Sequence, residues 1–127
     1  MKFSTNKEKG IAGLSFAITY FSTNGYTVSI PLNDSQKYDL VVDDGKNLLK
    51  VQVKATGSIS EYGNYVVSLR SCGGTNGSVY GRVIDDDIDI LFVVCGNGEL
   101  YLIPKANITN ASTLNLGKNC QQFKVDI

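Results

Sequence analysis

Three residues in the stretch YDLVVDDGKNLLKVQVK, Tyr38 to Lys54, carry side chains that together suit phosphate chemistry: Asp39, Gln52 and Lys54. A carboxylate and an amide oxygen are hard ligands of the kind Mg²⁺ accepts. An ammonium beside them can steady a phosphate, or activate water where burial lowers its pKa. The chain has no histidine, which excludes histidine acid–base catalysis, histidine triads and His-containing zinc sites.

A β-hairpin must position these groups. Tyr38 to Val42 is one predicted strand, Asp43 to Asn47 is turn chemistry, and Leu48 to Ala55 is the second strand. Side chains alternate across a strand, so Leu49, Val51 and Val53 share one face and Lys50, Gln52 and Lys54 the other. Leu40 and Val42 belong on the valine face, because a slip of one residue would drive valines into water. That demands an even-length turn. With Gly45-Lys46 as the turn pair, Asp39 lies opposite Gln52; with Asp44-Gly45, it lies opposite Lys50. Both registers gather the carboxylate, the amide and an ammonium on one polar face. Taken alone, the same residues also describe a hairpin with one solvated face.

At 127 residues the chain is expected to form one domain, 1–127, with a single core. Twelve basic residues cancel twelve acidic ones, so any DNA binding must come from local patches rather than net charge. Cys72, Cys95 and Cys120 form no CxxC pair, and neither a zinc site nor a disulfide framework is indicated. Reduced thiols fit a cytoplasmic protein. No apolar run follows MKFSTNKEKG and none is long enough to span a membrane, so no membrane partner is expected.

The remaining pattern surrounds the hairpin. Ile11, Leu14, Ile18 and Phe21, with Ala17, predict a helix from about Glu8 to Thr23, stopped by Asn24-Gly25. Lys2, Lys7 and Lys9 make its start mildly basic, and Lys9 is a candidate DNA contact. Strands are expected at Tyr26 to Ile30, Asn64 to Leu69, Ile88 to Val94 and Glu99 to Ile103, with Pro104 closing the last. The tail, 105–127, is polar and irregular, with a final strand at Gln122 to Val125. Ser71 to Gly81, SCGGTNGSVYG, is expected to be a mobile loop and lacks the GK[ST] ending of a P-loop. Arg70 and Arg82 at its base, with Tyr80, could clasp a phosphate backbone. Asp85-Asp86-Asp87 and Asp89 suit a solvated turn or a helix start and not a metal site, since neighbouring side chains diverge. One helix and several strands give an α/β (α+β) domain with a mixed sheet.

The whole chain resembles the small PD-(D/E)xK endonucleases, in particular the homing endonucleases of group I introns. KGIAG, NGYTVSIP, YDLVVDDG, LLKVQVK, SLRS, DIDILFVV and ELYLIP carry the likeness, in the family's order. The family's acidic-residue-x-Lys motif resembles Gln52-Val53-Lys54, and its hallmark aspartate matches Asp39, with Tyr38 in the place of the proline. The resemblance implies a restriction-endonuclease-like mixed sheet flanked by helices. It also implies site-specific hydrolysis of double-stranded DNA with Mg²⁺ (Mn²⁺ as the alternative ion). Asp39, Gln52 and the Val53 carbonyl would hold the metal and Lys54 would orient or activate water, in a homodimer or homotetramer. One position departs from the family. Leu14 stands where these enzymes usually carry a helix glutamate, and Glu8 is the nearest substitute, almost two helical turns away. The departure leaves a second reading, a weakened or inactive relative that binds DNA or a protein partner. A cytoplasmic binding module with no nuclease link is the third.

Overall fold

The computed structural model describes residues 4–33, 35–73, 79–82, 88–109 and 112–127, with 70–73 and 79–82 as backbone alone. Helix α1 spans Asn6–Thr23, beginning earlier than the apolar periodicity suggests because Thr5 caps it. Thr5 Oγ1 accepts from the Glu8 N–H at 3.1 Å, and Glu8 Oε2 accepts from the Ser4 N–H at 2.8 Å. This reciprocal arrangement is of the capping-box kind. At the other end the Asn24 N–H returns to the Tyr20 and Phe21 carbonyls.

Among the described residues ten strands follow: β1 Thr27–Ser29, β2 Leu40–Asp43, β3 Leu48–Thr56, β4 Val66–Ser68, β5 Arg70–Gly73, β6 Val79–Arg82, β7 Ile90–Cys95, β8 Leu100–Pro104, β9 Thr113–Asn115 and β10 Lys124–Val125. The main sheet has the order β1-β2-β3-β7-β8-β10. β3 and β7 run parallel and the other neighbours antiparallel, so the mixed sheet expected from the sequence is present. β7, ILFVVC, is buried along its whole length, as a central strand covered on both faces must be. β4 and β9 form a small second sheet, and β5 and β6 a two-stranded ribbon.

Two apolar layers flank the main sheet. On one face α1 brings Ala17 and Phe21 against Leu40, Val42, Val51, Phe92 and Val94. On the other, Val67, Leu69, Leu116 and Cys120 cover Leu91, Val93, Tyr101 and Ile103. The helix approaches the sheet closely at Gly13. A Cβ there would lie 3.3 Å from Ala55 Cβ and 3.4 Å from Val53 Cγ1, so the absent side chain sets the helix–strand spacing.

Several expectations shift. Ile11 is 60% exposed; the buried line of α1 is Gly13, Ala17 and Phe21, with Leu14 and Ile18 at its flank. Ser71 to Gly81 is not one loop, since β5 and β6 pair across it with Arg70 opposite Arg82 and Cys72 opposite Tyr80. Val79 and Tyr80 are strand formers that the surrounding glycines obscure. Pro104 belongs to β8 as its last residue. The tail carries β9, β10 and two short 3-10 helices, Lys105–Asn107 and Lys118–Phe123. Asp85, Asp86 and Asp87 lie outside the described residues; Asp89 accepts the Lys50 N–H at 2.8 Å. Among the described residues no helix is long and apolar enough to cross a membrane.

Candidate active site

The hairpin register brings the polar residues together. Leu40 pairs with Val51, Val41 with Lys50, Val42 with Leu49 and Asp43 with Leu48, and Asp39 lies just before the first of these pairs. The turn pair is therefore Gly45-Lys46. Gly45 has φ +96°, at the first central position of a two-residue turn, where glycine meets no steric cost. Asp44 Oδ1 accepts from the N–H groups of Lys46 and Asn47 at 2.8 and 2.7 Å. Those bonds favour this register over the Asp44-Gly45 alternative.

Asp39 lies just before β2 and donates its N–H to the carbonyl of Val51, the residue opposite Leu40, at 2.8 Å. Its Oδ2 accepts from the Val53 N–H at 2.8 Å and from Gln52 Nε2 at 2.9 Å. Gln52 Nε2 also lies 3.4 Å from the Val53 carbonyl oxygen. Two acceptors around one nitrogen fix the amide's orientation, because a flipped amide would set oxygen against oxygen. Gln52 Oε1 is left buried with no hydrogen-bond partner among the described residues. An orphaned acceptor of this kind costs free energy and marks a place where a donor or a cation is wanted.

The charges are shifted against their ordinary states. Burial pushes the Asp39 pKa up, while the Val53 N–H and the Lys54 charge pull it down. Burial pushes the Lys54 pKa down, Asp39 works against this, and the Lys9 charge adds to it. Both groups are half-buried, and among the described residues they form no ion pair with each other. Perturbed titratable groups converging on one edge suit proton chemistry. Asp39 opens on a depression of about 160 Å³ bordered by Pro31, Gln36 and Tyr38. Lys54 opens on one of about 190 Å³ that Lys9, Ser58 and Ser68 border.

Asp39, Gln52 and Lys54 are thus gathered as the sequence suggests, and Lys9 reaches the same neighbourhood. Arg70 and Arg82 are register partners in the ribbon, and their side chains, with that of Tyr80, lie outside the described residues. Glu8 is committed to the helix cap. Leu14 packs with the apolar layer under α1, the face opposite Gln52 and Lys54. Among the described residues no three His, Cys, Asp or Glu side chains cluster as metal ligands, so an ion here would rest on one carboxylate and neutral oxygens. The oxygen set still suits a hard divalent cation. Sequence reasoning missed the meeting of Lys9 with Lys54 and the contact of Lys50 Nζ with the Tyr38 ring at 5.6 Å; neither has a local signal.

A mixed sheet with this site at the start of its hairpin is the frame of a nuclease, and the chain belongs to the PD-(D/E)XK endonuclease family, whose pattern it matches over residues 4–123. Among solved structures it is similar to a bacterial homing endonuclease, I-Ssp6803I. The identity is 31% and the TM-score 0.77, over 94% of this chain and 82% of that one. No curated protein matches it. The likeness to the homing-endonuclease branch is therefore borne out in sequence and fold. Members of such a family hydrolyse phosphodiester bonds, so this chain is a nuclease.

Proposed function

We propose that this nuclease cuts double-stranded DNA at defined sites with Mg²⁺, Mn²⁺ being the alternative ion. Asp39, Gln52 and the Val53 carbonyl would hold the ion. The observation that carries this is the Gln52 amide: its nitrogen bridges Asp39 Oδ2 and the Val53 carbonyl while its oxygen is buried with no partner among the described residues. With the amide rotated to present its oxygen, Gln52 would hold the cation together with Asp39 and the Val53 carbonyl. A bound divalent ion supplies Lewis-acid stabilisation of the negative charge that builds on the phosphoryl oxygens.

The chain's own residues do the rest. The Val53 N–H anchors Oδ2 of Asp39, which fixes the carboxylate's aim. Lys54 Nζ, whose proton burial loosens, orients or deprotonates the attacking water and offsets transition-state charge. Arg70, Arg82, Tyr80 and Lys9 are proposed contacts to the DNA backbone. Cutting both strands takes two sites and each chain offers one, so a homodimer or homotetramer is proposed.

The test is supercoiled plasmid incubated with protein, with and without Mg²⁺. Nicked or linear product that requires Mg²⁺ supports the proposal. A second reading, a weakened relative, is favoured by Leu14 in the apolar layer. Wild type that binds DNA but leaves plasmid intact, with Leu14→Glu cutting it, would support that reading. A melting curve of the variant with and without Mg²⁺ controls for misfolding.

A further inference from the structure

The depression beside Lys54 continues past the active site. It shares Lys9 and Ser58 with a larger cavity of about 470 Å³ along the first turn of α1, bordered also by Thr5 and Gly57. The two form one trough that starts at Lys54, passes Lys9 and ends beside the helix cap. Among the described residues its lining holds two lysines and several hydroxyls and no carboxylate. The nearest acid in sequence, Glu8, is turned to the Ser4 N–H. Thr56, a buried polar residue of the lining, already donates to the Val66 carbonyl and accepts from the Ser58 N–H, so it braces the wall instead of greeting a ligand.

Two ammonium groups on one cavity whose described lining holds no carboxylate repel each other in the free protein, Asp39 being the carboxylate that acts on Lys54 from beside it. An anion between them removes that penalty. β2 ends its pairing with β3 at Leu40 opposite Val51, so the trough begins where β3 runs on past its antiparallel neighbour. A strand of DNA whose bond is cut at Asp39 and Lys54 has this open path beside it.

We propose that this trough seats the DNA backbone phosphate next to the one that is cut, with Lys9 as its positioning residue. The proposal rests on the nuclease reading above and names a second contact of the same substrate. Lys9 fixes the register of the strand against Lys54 and takes no part in bond breaking. One ion-paired phosphate releases about one condensed counterion, so Lys9 contributes about 0.9 to the slope of log Kobs against log salt.

The experiment measures binding of a duplex in EDTA across about 50–200 mM KCl, where phosphate contacts are read from the slope. The proteins are wild type, Lys9→Ala, Lys9→Gln, Lys9→Arg and Lys118→Ala, the last an exposed lysine in the 3-10 segment that contacts β8. Lys9→Ala and Lys9→Gln should flatten the slope by about one without lowering the melting temperature. Lys9→Arg and Lys118→Ala should keep the wild-type slope. A neutral methylphosphonate placed one phosphate from the cut bond should weaken wild type and leave Lys9→Ala unchanged. An unchanged slope in Lys9→Gln overturns the proposal, as does an equal loss in Lys118→Ala, which would make the effect one of net charge. Either result leaves the Mg²⁺-dependent plasmid assay to stand or fall by itself.

Discussion

Replacing Asp39 separates its chemistry from its hydrogen bonds. Asp39→Ala removes the acceptor for two donors, the Val53 N–H and Gln52 Nε2. An unsatisfied buried donor costs about 1–3 kcal/mol. The site is half-buried and water reaches part of it, so the low end applies to each, about 2–3 kcal/mol together. Asp39→Asn keeps a carbonyl oxygen for the Val53 N–H and gives up the charge. Burial holds the Asp39 pKa up, which means that the charge itself burdens the fold. The two effects oppose, and Asp39→Asn should change stability by less than about 1 kcal/mol. Both variants should lose Mg²⁺-dependent cleavage, and Asp39→Asn should hold DNA as tightly as wild type or more so, since one negative charge near phosphate is gone. Urea unfolding gives the stabilities and plasmid conversion the activities. Cleavage by Asp39→Asn at the wild-type rate would refute the role of the carboxylate. An Asp39→Asn as unstable as Asp39→Ala would refute the division between charge and acceptor.

Three further outcomes follow from the same geometry. Lys54→Met keeps the apolar stem and should abolish cleavage with no loss of stability at neutral pH. The folded-state pKa of Lys54 is depressed, so its charge costs stability below that pKa, and the cost fades only as pH rises toward 10.5; urea midpoints check this. Asp39 has the opposite sense. Its folded pKa lies above 3.8, so its ionisation burdens the fold above that pKa and the burden lifts as pH falls through it. Gly13→Leu should cost about 1–3 kcal/mol by overpacking, because its Cβ already meets Ala55 Cβ at 3.3 Å, and a thermal melt reads it.

The hairpin was legible because alternation in LLKVQVK and LVV leaves only even registers. Alternation could not choose between the two, and the choice rests on Asp44 bonding to the N–H groups of Lys46 and Asn47. The helix was legible as an element but not in its facing. Apolar spacing points through Ile11, whereas the line that touches β3 starts at Gly13, a residue that an apolar pattern does not count. Glycines made Ser71 to Gly81 look like loop, and the β5–β6 pairing shows that Val79 and Tyr80 outweigh them there. The pairing of Lys9 with Lys54 depends on where the start of α1 falls against the end of β3, a tertiary fact that no local pattern encodes.

The central claim is that Asp39, Gln52 and the Val53 carbonyl would hold a divalent cation, the Gln52 amide giving up its hydrogen bond to Asp39 Oδ2. The most direct measurement follows the Gln52 side-chain amide resonances by ¹⁵N NMR during a Mg²⁺ titration of wild type and Asp39→Asn. The account predicts a saturable shift in wild type, with the loss of the hydrogen bond to Asp39 Oδ2, and none in Asp39→Asn. A Gln52 amide that stays in place while Mg²⁺ supports plasmid cleavage would contradict it.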